Sequence, residues 1–142
     1  MRQLFLILFL VSNIGLFAQS DSFVGNYVRN PKLSDGSIHK WTLSLNTDGT
    51  FIYNFYRVIA GDKKHEENFY GKGTWKAEKN LIFFFADKKK DIDETHTKNF
   101  NNSRARINSK SPRDKSNKII KTSLRFFESE IPEITGLELF KE

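Results

Sequence analysis

The stretch from Trp41 to Tyr56 constrains the fold of this chain more than any other feature. Its two arms alternate apolar and polar residues with a period of two, and a polar segment, residues 46–50, separates them. Gly49 supplies the positive φ angle that a short hairpin turn needs, and the Asp48 side chain can bond the turn backbone. The stretch is therefore predicted to be a β-hairpin. Its predicted register pairs Leu45 with Phe51, Leu43 with Tyr53 and Trp41 with Phe55, with all six side chains on one face.

Several other stretches also have the pattern of a β-strand. They are residues 21–27, 69–77, 81–86, 119–127 and 137–140, and a polar edge strand is predicted over 93–100. Gly71 and Gly73 fall on the inward face of their strand, where they allow a tight bend and leave room for neighbours. Seven or eight short strands with local connections predict an all-β fold. The predicted architecture is an antiparallel lipocalin-like barrel or a strongly curled meander of about eight strands.

The first 20 residues have the layout of a secretory signal peptide. Arg2 precedes an apolar run over residues 4–11, and the small residues Ala18 and Ser20 come before the predicted cleavage site, although cleavage after Ala18 fits nearly as well. Ser12 and Asn13 interrupt the run well before the about 20 apolar residues that a membrane span needs. We therefore predict a signal peptide over 1–20, one domain over 21–142, and an extracytoplasmic location, either periplasmic or secreted.

The composition limits what the predicted mature chain can use for stability and chemistry. The sequence contains no cysteine, so it has no disulfide, no thiol for lipid attachment and no thiolate metal site. Loss of Arg2 with the leader lowers the formal charge from +6 to +5. A chain of this length is ordinary for one domain, and its many aromatic residues can supply the core.

Five segments together resemble a known group of barrel proteins. They are residues 25–27 (GNY), 42–53 (TLSLNTDGTFIY), 71–75 (GKGTW), 80–85 (NLIFFF) and 136–141 (GLELFK). In these segments the chain resembles the small secreted lipocalin-like proteins of Bacteroidetes-type bacteria and, distantly, the barrel domain of the copper-resistance lipoproteins. The resemblance implies a calyx-like barrel for a hydrophobic ligand in a cell-envelope setting. The chain lacks the lipidated cysteine and the cysteine pair of the copper-linked family, so the resemblance implies no metal role.

The aromatic residues of the predicted inner face are the first candidate site. Trp41, Tyr53, Phe55, Phe69 and Trp75 share this face by alternation. The interior of an eight-stranded barrel can either hold one small ligand or be filled by side chains. The sequence leaves both interpretations open.

A basic run is the second candidate site. Its centre is Arg104, Arg106, Lys110, Arg113, Lys115 and Lys118, within a polar stretch, residues 101–117, that is predicted to be a flexible loop. The run could attract an anionic envelope surface, fold over a barrel mouth as a lid, or simply be solvated. It lacks interleaved aromatics for stacking on bases, so nucleic acid is not a predicted partner. Deletion of residues 102–116 is predicted to leave the fold intact.

No motif in the sequence predicts catalysis. His39, His65 and His96 are isolated and are interpreted as ordinary surface residues, and neighbouring carboxylates such as Glu66 and Glu67 would point to opposite faces of a strand. We therefore predict no catalytic residue, no metal and no cofactor. A site at a barrel mouth that the sequence does not reveal would be needed for an enzyme.

Two functions follow as hypotheses. The first is a non-catalytic, monomeric binding protein for a small apolar or amphipathic ligand, held between the aromatic face and the basic run, with Arg104 and Arg106 suited to an anionic head group. The second is a filled barrel that serves as a scaffold and contacts a protein or an envelope surface through its loops.

Overall fold

Eight antiparallel strands close into a barrel in this computed structural model, which describes residues 21–61, 63 and 65–142. The strands are β1 (Gly25–Arg29), β2 (Ile38–Leu45), β3 (Thr50–Ile59), β4 (His65–Glu78), β5 (Leu81–Phe85), β6 (Arg104–Asn108), β7 (Ser123–Glu128) and β8 (Glu138–Lys141). Each strand pairs with the next, and β8 pairs with β1. The predicted all-β antiparallel barrel is confirmed. The predicted signal peptide lies outside the described residues.

The β2–β3 hairpin forms with the predicted register. Leu45 pairs with Phe51, and the pairing continues through Leu43 with Tyr53 to Trp41 with Phe55. The turn closes as its residue types require, because Gly49 has a φ of 82° and the Asp48 carboxylate accepts the Thr50 N–H at 2.9 Å. The hairpin thereby fixes which side chains face the barrel interior.

The inward position of the two β4 glycines is also confirmed, since both are buried. A Cβ atom on Gly71 would lie 2.6 Å from the ring of Phe100, and one on Gly73 would overlap the carbonyl oxygen of Phe85. Both glycines therefore allow a neighbouring group to approach the backbone of β4 more closely than any other residue would permit.

The stretch predicted as a flexible loop over residues 101–117 is different in the structure. Arg104–Asn108 form β6, a strand of the barrel between β5 and β7. Ala105 and Ile107 are buried and alternate with exposed arginines, which is the period of a half-buried strand. The loop prediction is wrong for these residues. The strand contains only two apolar positions, Ala105 and Ile107, and the many polar residues around them mask its alternation. Because deletion of residues 102–116 would remove β6, we now expect this deletion to disrupt the barrel, contrary to the sequence prediction.

Two further stretches differ from the sequence prediction. Residues 93–100 form no strand, and the last of them, Phe100, is fully buried in the core. The strand predicted over residues 119–127 begins only at Ser123, so Ile119 and Ile120 belong to the β6–β7 connection and are exposed. A register shift opposite Arg104 and Ala105 makes a β-bulge in β7, which places both Phe127 and Glu128 on the outside of the barrel.

The topology puts the connecting segments at two ends of the barrel. Connections β1–β2, β3–β4, β5–β6 and β7–β8 lie at one end, which we call the mouth. Connections β2–β3, β4–β5 and β6–β7 lie at the other, which we call the turn end. A one-turn 3₁₀-helix, Pro132–Ile134, lies in the β7–β8 connection at the mouth.

Candidate functional site

The centre of the barrel is filled by aromatic rings. Phe100 lies among four of them, with ring centroids 5.1 Å from Phe51, 4.8 Å from Tyr53 and 6.0 Å from both Phe84 and Phe126. All five rings are almost completely buried. These distances are those of packed aromatic pairs, so the rings occupy the space in which a calyx would hold its ligand.

Phe100 reaches the centre because the β5–β6 connection is attached to β4. The Lys98 N–H donates to the carbonyl of Tyr70 at 3.0 Å, and the Lys72 ammonium pairs with the Asp93 carboxylate at 3.2 Å. Hydrogen bonds from His96 hold the pKa of Asp93 far below its usual value. The missing side chain of Gly71 then provides the space that the Phe100 ring enters.

Above this filled centre, three aromatic side chains form a stacked ladder at the mouth. Trp41 and Phe55 are register partners, and their rings stack with centroids 4.6 Å apart and planes 9° apart. Phe69, the register partner of Phe55 on β4, continues the stack at 5.9 Å and 20°. The His39 ring lies edge-on to both Trp41 and Phe55 at 5.6 Å. Trp41, Phe69 and His39 are only partly buried, so the ladder lies at the border between core and solvent.

Two ion pairs flank the ladder. Arg57 pairs with Glu67 across β3 and β4, and Lys98 pairs with Glu133, which joins the β5–β6 connection to the β7–β8 connection. Both cations also lie near the ring of Phe69, with Arg57 Cζ at 5.3 Å and Lys98 Nζ at 5.2 Å from its centroid. The cations hold the pKa values of Glu67 and Glu133 below the usual value for a glutamate. We call these four residues the charged rim.

Two buried polar atoms have no hydrogen-bond partner among the described residues: the indole nitrogen of Trp41 in the ladder and the hydroxyl of Tyr53 in the filled centre. Tyr53 is 0% exposed and lies two residues before Phe55 on the inner face of β3. Unpartnered buried groups are rare in native proteins because each costs about 1–3 kcal/mol. Packing of the core alone therefore gives no reason for the two unpartnered groups of Trp41 and Tyr53.

The other tryptophan and the other fully buried tyrosine show how such groups are normally satisfied. The Trp75 indole N–H donates to the carbonyl of Asn46 at 3.2 Å, and the Tyr27 hydroxyl donates to the carbonyl of Phe23 at 2.7 Å. The polar atoms of Trp75 and Tyr27 are thus both hydrogen-bonded to backbone carbonyls. The contrast marks Trp41 and Tyr53 as the exceptions.

The Tyr53 hydroxyl is neutral and available as a donor at physiological pH. Burial raises its pKa well above the usual value of 10, and the negative charge of Glu133 adds to the shift. Because Glu133 lies in the β7–β8 connection, the Tyr53 hydroxyl is electrostatically coupled to the mouth and its charged rim.

Four of the seven predicted site residues come together. Trp41, Phe55 and Phe69 form the ladder at the mouth, and Tyr53 lies on the same inner face of the barrel, one inward position deeper than Phe55 on β3. Trp75 is on the same inner face but lies at the turn end, where its backbone N–H donates to the carbonyl of Gly49. Arg104 and Arg106 lie on the outer wall of β6, where they face the rings of Phe83 and Phe127 and not the predicted inner aromatic face.

The sequence interpretation missed His39 and the charged rim. Arg57 and Glu67 extend the inward alternation of β3 and β4, so their pairing could have been inferred from the hairpin period. Lys98 and Glu133 lie in irregular connections 35 residues apart, and no local pattern brings them together. The structure places His39 against the ladder, not on an ordinary surface.

Two further features concern the outside of the barrel and the chain as a whole. An open groove of about 590 Å³ on the outer wall is lined by Arg106, Asn108, Arg125 and Phe127, among others. Within the described part of the chain, no three His, Asp or Glu residues are grouped to hold a metal ion. No helix among these residues is long and apolar enough to cross a membrane.

Comparison of the sequence with models of protein families and with curated proteins, and of the structure with solved structures, finds no significant match.

Proposed function

We propose that this chain is a non-catalytic, extracytoplasmic binding protein that holds a small, planar amphipathic molecule at its mouth. The observation that carries the proposal is the pair of unpartnered donors, Trp41 Nε1 and Tyr53 Oη, next to a partly exposed aromatic stack. A bound molecule would stack on the ladder and accept hydrogen bonds from these two groups. The resemblance to lipocalin-like proteins supports ligand binding as the function. Because side chains fill the barrel centre, we place the ligand at the mouth and not inside the barrel.

The chemistry of the mouth defines the ligand class. Stacked rings favour a flat apolar group, and two N–H or O–H donors favour a carbonyl or carboxylate oxygen. Arg57 and Lys98 can assist an anionic group, but each is already paired with a glutamate. The acceptor oxygen is therefore the essential feature of the ligand, and a negative charge is secondary.

Access to the two donors requires movement of the rim. Both atoms are shielded from solvent, and the Lys98–Glu133 pair connects the two longest segments at the mouth. A solvent-exposed ion pair contributes only about 0–1 kcal/mol, so its opening is an inexpensive step. In this proposal the rim opens, the molecule enters along Phe69, and its oxygen replaces the missing partners.

The two tryptophans allow a direct test by NMR spectroscopy. The indole N–H signals of Trp41 and Trp75 are observed during titration with 1-naphthoate, and decanoate serves as an alkyl carboxylate for comparison. The proposal expects a saturable shift of the Trp41 signal and a stationary Trp75 signal, because Trp75 Nε1 already has a partner. Absence of a Trp41 shift with either compound, or equal shifts of both signals, would contradict the proposal for this ligand class.

A second candidate function is the scaffold, and the filled centre favours it. Phe100 and its four ring partners leave the barrel centre occupied by the chain itself. In that case the loops form the contact surface for a partner. The scaffold gives no reason for the unpartnered donors at the mouth, and for that reason we place it second.

A further inference from the structure

The β6–β7 connection at the turn end exposes an unusual pair of apolar side chains. Ile119 is 99% exposed and Ile120 is 48% exposed, and they are adjacent in sequence. Lys118 and Lys121 flank them directly. A single exposed isoleucine is ordinary on a protein surface, but an adjacent exposed pair between two lysines is an apolar patch that calls for a partner.

The connection that carries this pair is strongly basic. Residues 109–122 contain Lys110, Arg113, Lys115, Lys118 and Lys121 against one acid, Asp114. The carboxylate of Asp114 accepts the Ser116 N–H at 2.9 Å, so it serves the local turn. Arg113, Lys115, Lys118 and Lys121 form no ion pair with any residue that the structure describes. Their charges are thus free to act on a partner.

The positive surface continues onto the barrel wall. Arg106 on β6 and Arg125 on β7 are direct register partners with exposed side chains. Like charges in opposite positions of a sheet destabilise it, so an anion between them would be favourable. The open groove on this wall is lined by both arginines and by Asn108, the last residue of β6 before the β6–β7 connection.

We infer that the turn end docks onto an anionic phospholipid membrane, with Ile119 and Ile120 inserted among the acyl chains and the surrounding lysines on the head groups. A membrane surface offers both parts of this arrangement, since it combines negative charge with an apolar layer that a projecting loop can reach. An acidic polymer would match the lysines but would leave the two isoleucines in water. The inference is independent of a ligand at the mouth, which lies at the opposite end of the barrel and would face away from the membrane.

Vesicle co-sedimentation of the chain from residue 21 onward tests this inference. The protein is mixed with vesicles of phosphatidylcholine alone, or with phosphatidylcholine vesicles that contain about 30 mol% phosphatidylglycerol to give them a negative surface charge. We expect binding to the anionic vesicles, weaker binding at high salt and little binding to the neutral vesicles. No binding to anionic vesicles at low salt would overturn the inference.

Substitutions separate insertion from simple charge attraction. The double variant Ile119→Ser/Ile120→Ser should bind anionic vesicles at least about tenfold more weakly. The transfer of an isoleucine side chain from water into the acyl layer is favourable, and serine loses this contribution to the binding free energy. The matched control Ile38→Ser/Ile59→Ser removes two isoleucines that are 46% and 44% exposed at the mouth ends of β2 and β3, and it should leave binding unchanged. Equal binding by the double variant and the parent would overturn insertion and would point to an acidic polymer as the partner.

The lysines give the second arm of the test. Lys118→Gln and Lys121→Gln should each weaken binding to anionic vesicles about fivefold, as expected for one lysine near a charged membrane. Lys32→Gln and Lys40→Gln, at exposed positions near the mouth, are the controls, and they should have little effect. Equal losses from all four substitutions would show that only the overall charge of the protein matters, which would contradict docking through the turn end.

Discussion

Removal of one hydroxyl group should stabilise this protein at Tyr53 and destabilise it at Tyr27. The two tyrosines are both 0% exposed and both belong to the aromatic core. The Tyr27 hydroxyl donates to the Phe23 carbonyl at 2.7 Å, whereas the Tyr53 hydroxyl has no partner among the described residues. Substitution by phenylalanine is the same chemical change in both places, so the hydrogen bond alone determines the sign.

The size of each effect follows from the cost of hydrogen bonds in a core. Loss of an existing hydrogen bond lowers the free energy of unfolding by about 0.5–1.5 kcal/mol, and a buried polar group without a partner lowers it by about 1–3 kcal/mol. Tyr27→Phe should therefore lower the free energy of unfolding by about 1 kcal/mol, and Tyr53→Phe should raise it by about 1 kcal/mol or more. With a urea m value of about 2 kcal/mol/M, the midpoints should move by about 0.5 M in opposite directions.

Urea denaturation at pH 7, followed by tryptophan fluorescence and by circular dichroism, measures both midpoints. A decrease in stability of Tyr53→Phe as large as that of Tyr27→Phe would refute the reasoning, because it would show that the Tyr53 hydroxyl has a partner in the folded protein. The same Tyr53→Phe variant should bind a mouth ligand more weakly. Greater stability with weaker binding is the combination expected of a group kept for function.

Three further results are expected. Phe100→Ala should lower the free energy of unfolding by about 3–5 kcal/mol, while Phe85→Ala on the outer wall, where Phe85 is 43% exposed, should cost less than about 1 kcal/mol; similar losses would show that Phe100 does not fill the core. Gly73→Val should cost at least about 1–3 kcal/mol because its side chain would meet the Phe85 carbonyl, and an unchanged urea midpoint would contradict this packing. Burial raises the pKa of Tyr27 from 10 to about 12, so its contribution to stability is complete below pH 10 and is lost as the pH rises through about 12; a midpoint that stays constant from pH 9 to 12 would contradict that burial.

Local patterns in the sequence predict most of the barrel. The β2–β3 hairpin follows from its period of two and from Asp48-Gly49, since turn chemistry and alternation are properties of neighbouring residues. The same alternation brings Trp41, Tyr53, Phe55 and Phe69 onto one face, which is the larger part of the candidate site. Strand β6 is missed because only Ala105 and Ile107 carry its apolar period, and many polar residues surround them.

The parts that could not be predicted depend on contacts between distant segments. Phe100 is the last residue of a polar stretch, and only the attachment of the β5–β6 connection to β4 brings its ring to Gly71. The Lys98–Glu133 pair joins two irregular connections. Whether an indole or hydroxyl has a partner is also a property of the assembled core, so the sequence alone could not distinguish Trp41 from Trp75.

The most direct test of the central claim is native mass spectrometry of the protein purified without denaturation from the cells that make it. We expect a species heavier than the polypeptide by one small molecule, which denaturation releases and which carries a planar apolar group and a carbonyl or carboxylate oxygen. Its occupancy should fall in the Tyr53→Phe variant and remain unchanged in Tyr27→Phe, which retains both mouth donors. A folded barrel that is free of any small molecule in repeated preparations, and equally so in both variants, would contradict a ligand site at the mouth.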